Sequence, residues 1–350
     1  MHIRRFVVLG VAAAVLASGP SQVFAQGAPK LKEEQKRSKA QQEEVNQVFD
    51  LLDKVMMAEP VTPTSAKTDE QQGEVKVTWD SGHFLKGQGG QTYVPFTVVI
   101  DRSALASPNA MVYVRAVSKT PAPAAAPAKK DDKKPVTYAW SDANFAQVDP
   151  SGKFSRAMML AGGEYDLFIV ARDSGVKGMP KTGILRRSIT VPDFTKAELA
   201  TSSVILGGID QLAAPLANDK QRENPYTFGL MKVMPTETGK FGKTAELAVV
   251  FWVYGAGTDA ATKKPNVTIE YNFHQKNADG TEKFFNKTAP QDLNAMTLPP
   301  DMDAAFALPG VQTVPMMVFP AGDYRLEIKI SDKATNKTLT QNVNFTVSAS

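Results

Sequence analysis

The polar and apolar positions of this chain fall into two regimes. Across residues 30–59 the spacing is helical: Val45, Val48, Phe49, Leu52, Val55 and Met56 recur at intervals of three and four and share one face. The half before that stripe, residues 32–44, is nearly all Lys, Glu, Gln and Ser, which suits a solvated arm. Pro60 and Pro63 end the segment. The stripe is too short for a sustained heptad seam. A helical arm over residues 26–60 that lies on the domain after it is therefore favoured over one that docks a partner.

After a polar linker at residues 64–72 the period drops to two and stays there. Val75, Val77 and Trp79 alternate in the run 74–79, and residues 92–100 form a β-branched and aromatic run behind the Gly87-Gln88-Gly89-Gly90 turn. Further strands are expected at 111–117, 136–140, 154–160, 164–171 and 185–191. Between two of them lies a Pro-, Ala- and Lys-rich stretch, residues 119–135, whose composition favours an extended loop and cannot build a core. A second series follows at 201–206, 226–233, 245–254, 267–273, 282–285, 314–319, 323–330 and 339–347. Many short strands between Gly, Pro, Asn and Asp turns predict an all-β chain of two tandem immunoglobulin-like β-sandwich modules behind an amphipathic helix. Module 1 is expected at 73–194 and module 2 at 199–348.

The two series resemble each other. Gly163, Glu164, Tyr165, Leu167, Ile169 and Asp173 fall on Gly322, Asp323, Tyr324, Leu326, Ile328 and Asp332 at constant offset. After a three-residue change in length, residues 181–191 fall on 337–347, and Met158 falls on Met317. Gly supplies the backbone angle of a tight turn, the acid can accept from nearby backbone N–H groups, and Tyr, Leu and Ile at spacing two face one core. A Tyr in this place resembles a tyrosine corner, and Asp173 and Asp332 are expected to close each strand at a turn. These repeat residues are read as structural.

The run Pro225-Tyr-Thr-Phe-Gly229, with Pro235, Phe241, Leu247, Phe251-Trp-Val-Tyr254 and the later 320–326 string, is similar to the C-terminal β-sandwich modules of secreted bacterial GWxTD-type proteins. The motif that names that family is absent, since no Gly-Trp-x-Thr-Asp occurs. The resemblance implies a fold and a cell-envelope setting and carries over no site residues.

The first residues bear on location. Arg4 and Arg5, the apolar run 6–16 and Val23-Phe24-Ala25 read as a signal peptide of 25 residues, cleaved after Ala25, rather than as a membrane anchor. A periplasmic or extracellular protein is expected. The chain has no cysteine, which excludes a lipid-modified N-terminal Cys, disulfides, thiolate metal sites and thiol nucleophiles. Net charge is +4 over 350 residues; without Arg4 and Arg5 it is about +2, with no basic stripe for nucleic acid.

Candidate chemistry is sparse. His83 and His274 lie in different modules without metal-ligand spacing, and no Gly-x-Ser-x-Gly, P-loop or dinucleotide fingerprint occurs. Residues 277–282 carry an incomplete calcium-loop pattern, read instead as a hairpin through Asp279-Gly280. The long Pro-rich connection 290–315 is read as a crossover or a functional loop. Met158-Met159 and Met316-Met317 are read as packing. No catalytic residue, metal or cofactor is assigned. Among the aromatics, Trp79, Trp140 and Trp252 are the candidate binding residues, with Tyr93, Phe228 and Tyr254 beside them. The expected function is a non-catalytic exported envelope protein that contacts or scaffolds another envelope protein. A glycan-binding sandwich is the alternative, and a hydrolase with a dispersed site comes last.

Overall fold

The computed structural model describes residues 37–58, 69–120, 138–196, 198–236, 238–299 and 307–349. The expected signal peptide and most of the Pro-, Ala- and Lys-rich loop lie outside them. The chain divides into two compact units that meet in sequence between Asp193 and Phe194. Each is an all-β immunoglobulin-like sandwich, and a helix precedes the first.

In module 1 the helix is α1 (Lys39–Ala58). Its strands are β1 (Glu70–Gly73), β2 (Val77–Gly82), β3 (Leu85–Lys86), β4 (Thr92–Ile100), β5 (Asn109–Ser118), β6 (Trp140–Gln147), β7 (Lys153–Leu160), β8 (Gly163–Asp173) and β9 (Thr182–Val191). One sheet runs β1-β9-β8-β5-β6; the other sets β2, β3 and β7 around β4. The inner faces close on Val94, Phe96 and Val98 from one sheet and Val112, Val114, Leu167 and Ile169 from the other. The five-stranded sheet is covered on its outer face too. Val48 and Leu52 of α1 pack there on Met111, Tyr113, Phe168 and Val170. That is why β5 and β8 read as continuous apolar runs: both of their faces are buried.

Module 2 contains β10 (Ala200–Thr201), β11 (Ile205–Gln211), α2 (Asn218–Glu223), β12 (Thr227–Phe228), β13 (Met231–Pro235), β14 (Lys240–Phe241) and β15 (Glu246–Tyr254). There follow β16 (Val267–Lys276), β17 (Glu282–Lys287), β18 (Gln291–Leu293), β19 (Leu308–Pro315), β20 (Gly322–Asp332) and β21 (Lys337–Val347). One sheet is β14-β21-β20-β16-β17, with β18 also on β16; the other centres on β15, flanked by β10, β11 and β19. Leu247, Val249, Phe251 and Val253 of β15 meet Ile269, Tyr271, Leu326 and Ile328 across the core.

The correspondence between the two series extends to strand register. Ala110 faces Asp173 and Ser118 faces Tyr165; in module 2, Val267 faces Asp332 and Gln275 faces Tyr324. Gly163 faces Val191 and Gly322 faces Val347. A slip of one residue would turn every core side chain outward, so matched registers mean matched cores. The outer faces have diverged. Where module 1 pairs Tyr113 with Val170 and Arg115 with Phe168, module 2 pairs Glu270 with Lys329 and Asn272 with Glu327. The helix therefore has an apolar seat in module 1, and the equivalent face in module 2 is polar.

Several local expectations are corrected. The strand placed at 74–79 is β2, which starts at Val77 and runs through a bulge between Trp79 and Ser81. The linker at 64–72 contains the start of β1, an edge strand without apolar side chains that is held by its ladder to β9. The strand placed at 136–140 is β6, which starts at Trp140. Residues 201–206 are split between β10 and β11. The run 226–233 is a hairpin, because Gly229 adopts φ +64° between β12 and β13. The strand placed at 314–319 ends at Pro315 and becomes a short 3-10 turn, Met316–Val318. Met317 there is 73% exposed while Met158 is fully buried, so the offset that pairs them fails structurally. The long connection 290–315 holds β18 and β19.

Candidate functional site

The closing hairpin of each module explains the repeated residues. Gly163 and Gly322 sit at φ +154° and +144°, a region that favours Gly. Tyr165 donates its hydroxyl to the Ala161 carbonyl at 3.0 Å, and Tyr324 donates to the Pro320 carbonyl at 2.8 Å. Both are tyrosine corners. Leu167 and Leu326 are fully buried beside them. In module 2 the acid after the Gly has a different role from the one expected: Asp323 accepts from the Thr346 hydroxyl at 2.6 Å rather than from the turn's N–H groups. Asp173 and Asp332 do more than end strands. Asp173 accepts from the N–H of Ala106 and of Lys181. Asp332 accepts from the N–H of Gly257 and Ala334 and from the Thr335 hydroxyl. Burial pushes the Asp332 carboxyl up, but these bonds outweigh it and hold its pKa below the usual carboxylate range.

The helix is fastened by a group that strand periodicity does not announce. Arg115 interrupts the apolar β5 and is 1% exposed. Its Nη1 donates to Asp53 of α1 at 2.9 Å and its Nε to the Tyr113 hydroxyl at 3.1 Å. The guanidinium carbon lies 3.6 Å from the centre of the Tyr138 ring, and Tyr138 donates its own hydroxyl to Asp53 at 3.0 Å. A desolvated cation thus keeps its hydration replaced by a carboxylate, a phenol and an aromatic face. Toward the other end of α1, Arg172 bonds Gln47 and the Gly175 N–H donates to Glu44. On the same sheet, fully buried Asp166 accepts from Arg186, Ser188 and Lys119. Burial alone would raise its pKa; the bonds from Ser188, Arg186 and Lys119 outweigh that and lower it.

The candidate binding tryptophans are not equivalent. Trp252 is 2% exposed and packs edge-on against Phe228 at 4.6 Å, so the expectation of a binding role fails there. Trp140 is half-buried against the module 1 core. Trp79 lines a shallow groove of about 220 Å³ with Gly82, Phe84, Val94, Arg187 and Ile189. Its ring stacks on Phe96 at 5.6 Å, and the Arg187 guanidinium lies 4.9 Å from its centre. Arg187 is steadied by Asp69, 2.6 Å away. Gly82 is required where it stands, because a Cβ would meet Trp79 Cζ2 at 2.2 Å. Trp79 and Trp140 belong to module 1 and Trp252 to module 2.

His83 belongs to module 1 and His274 to module 2. Burial lowers the His83 pKa to about 4, so its ring is neutral at pH 7. His274 stands edge-on to Phe284, and its Nε2 is buried without a hydrogen-bond partner. Residues 277–282 form the hairpin turn between β16 and β17, with Gly280 at φ +83° and Asp279 accepting from Thr281. Among the described residues no three His, Asp or Glu side chains converge as a metal site, and no helix is long and apolar enough to cross a membrane.

No protein-family model and no curated protein matches the chain. Among solved structures it is similar to Salmonella α2-macroglobulin reacted with methylamine, at 15% identity over 81% of this chain and 17% of that one, with a TM-score of 0.21. A mutant of the Salmonella protein, Y1175G, gives 15% identity, 78% and 16% coverage and a TM-score of 0.23. Escherichia coli α2-macroglobulin activated by porcine elastase gives 11%, 81% and 22%, with a TM-score of 0.21. The chain spans only 17% of the length of the first of these proteins.

Proposed function

We propose that this chain is a non-catalytic exported envelope protein that acts as a protein–protein interaction or scaffolding module on the periplasmic or extracellular side. The observation that carries the reading is the groove beside β9. There the ladder from β1 ends at Arg186, and among the described residues Arg187–Thr190, paired with β8 on one side, have no strand partner on the other. Backbone groups, the Arg187 cation and the apolar walls of Phe84, Val94 and Ile189 lie together along that edge. An extended peptide uses the backbone groups for ladder bonds and the walls for its alternate side chains, beside an Arg187 already bonded to Asp69. A sugar needs a free aromatic face instead, and the Trp79 ring is already engaged by Phe96 and Arg187. That ranks the glycan reading below the protein one.

The test is affinity capture from a periplasmic extract with the wild-type chain, Arg187→Glu and Phe84→Ala as baits, alongside a glycan array. The proposal expects one protein retained by the wild type and released by both substitutions. Identical recovery on all three baits, or array binding lost only when Trp79 is changed, would count against it.

A further inference from the structure

The matched registers of the two modules supply an internal reference for β21. In module 1 the equivalent strand, β9, has its edge covered by β1, which runs antiparallel to it and pairs Glu70 with Arg186 and Gly73 with Gly183. In module 2 the same edge meets only β14, a two-residue parallel strand at Thr346 and Val347. Among the described residues nothing pairs with β21 from Lys337 to Phe345 on that side. The segment before β10, which would be the counterpart of β1, is engaged elsewhere: Phe194 packs on Tyr254.

This edge also lacks the usual protections. Natural sheets blunt exposed edges with charges, prolines, bulges or very short strands. Here β17 carries Glu282, Lys283 and Lys287, β19 carries Pro309 and Pro315, β7 carries Lys153 and Arg156, and β1 has four residues. The open part of β21 has a single charge, Lys337, at its very end, and no Pro, Gly or bulge.

We infer that β21 pairs antiparallel with β21 of a second copy of this chain, about a two-fold axis through Gln341. The register follows from the strand itself. The open stretch runs from Lys337 to Phe345, so Gln341 is its midpoint, and pairing about that residue uses all of it and stops where β14 begins. The Thr346 N–H donates to Gly239 on this edge. N–H directions alternate along a strand, so Asn344, Asn342, Thr340 and Thr338 present their backbone groups there. The two-fold sets Thr340 opposite Asn342, each with both backbone groups facing its mate, which gives about four inter-chain hydrogen bonds by the antiparallel pattern, while Asn344, opposite Thr338, already has Gly239 against its carbonyl. On the other face half-buried Leu339 meets half-buried Val343, and no like charges oppose each other. The chain thereby extends one sheet across two molecules, an isologous contact that closes at a dimer.

Sedimentation equilibrium of the purified chain, over about 1–100 µM, where interfaces of modest area associate, tests this. The wild type is expected to be a dimer. Thr340→Pro removes an edge-facing N–H without touching the ladder to β20 and is expected to give a monomer with unchanged far-UV circular dichroism. Thr340→Lys repeats the test if the proline variant misfolds. Because the chain has no cysteine, single cysteines report the register. Gln341→Cys faces its own copy across the axis and should cross-link under mild oxidation, whereas Thr338→Cys should not. A monomeric wild type, a dimer that survives both Thr340 substitutions, or cross-linking through Cys at 338 and not at 341 would overturn the inference.

Discussion

Removing one oxygen from a tyrosine corner isolates the bond that ties each closing hairpin to its loop. Tyr324→Phe keeps the ring, which stacks on Phe345 at 5.2 Å and meets Phe319 edge-on at 5.3 Å, and deletes the 2.8 Å bond to the Pro320 carbonyl. The Tyr324 ring is fully buried, but Pro320 is exposed, so water can reach the carbonyl that loses its donor. The cost is then the net worth of such a bond, about 0.5–1.5 kcal/mol. At about 1.4 kcal/mol per factor of ten, that is roughly a 2- to 12-fold rise in the rate of opening-limited amide exchange. Hydrogen-exchange mass spectrometry reads it peptide by peptide. In Tyr324→Phe the loss of protection should fall on peptides from β20 and β21. In Tyr165→Phe, where the bond is 3.0 Å, a similar loss should fall on β8 and β9. Unchanged exchange in both variants, or a loss confined to one of them, would refute the structural equivalence of the two corners.

Other substitutions probe other parts. Asp53→Ala leaves Arg115 buried without its carboxylate; Asp53 is itself half exposed, so the cost is expected near the lower end of the roughly 3–5 kcal/mol typical of broken buried pairs, and limited proteolysis should show earlier cleavage within α1. Gly183→Ala puts a Cβ 1.6 Å from the Val75 carbonyl oxygen, so the segment between β1 and β2 must move off β9; a loss of about 1–3 kcal/mol in urea unfolding is expected. His83 titrates near 6.5 when unfolded and about 4 when folded, so the unfolded chain binds the extra proton between those values. Stability from this group is complete above pH 6.5 and falls toward pH 4, by at most about 3 kcal/mol, a drop that His83→Gln should flatten. The lowered carboxyls of Asp166 and Asp332 act in the same direction at lower pH: their contribution is present above the ordinary carboxylate range and lost as pH falls through their folded values, so Asp332→Asn should shrink the acid-side loss.

The parts of the fold legible in the sequence are those where one periodicity meets one buried face. The string from Gly163 to Asp173 and its copy from Gly322 to Asp332 carry turn, corner and core in one alternating run, and the α1 stripe is equally plain. Strand β1 was not legible, because Glu-Gln-Gln-Gly offers no apolar residue; backbone bonds and the Arg186–Glu70 pair hold it. The hairpin at β12 and β13 was hidden by an alternation that continues through Gly229. The fastening of α1 did leave a signal: an Arg inside the apolar run Met-Val-Tyr-Val-Arg-Ala-Val of β5 has to find a partner, and Asp53 lies on the helix that covers it. Trp79, Trp140 and Trp252 show the opposite limit. A strand pattern says that an aromatic faces a sheet surface, and only the packing shows that Trp252 lies under Phe228 while Trp79 reaches a groove.

Matched ladders in the two halves carry the whole account, and nuclear Overhauser contacts between Hα protons across the closing hairpins report them residue by residue. In an antiparallel ladder such contacts mark the residues whose N–H groups point away from the partner strand. The expected contacts are Glu164 with Thr190 in the first half and Asp323 with Thr346 in the second. Contacts displaced by one residue in either half would reverse which side chains face inward and contradict the claim that the two sandwiches share one register.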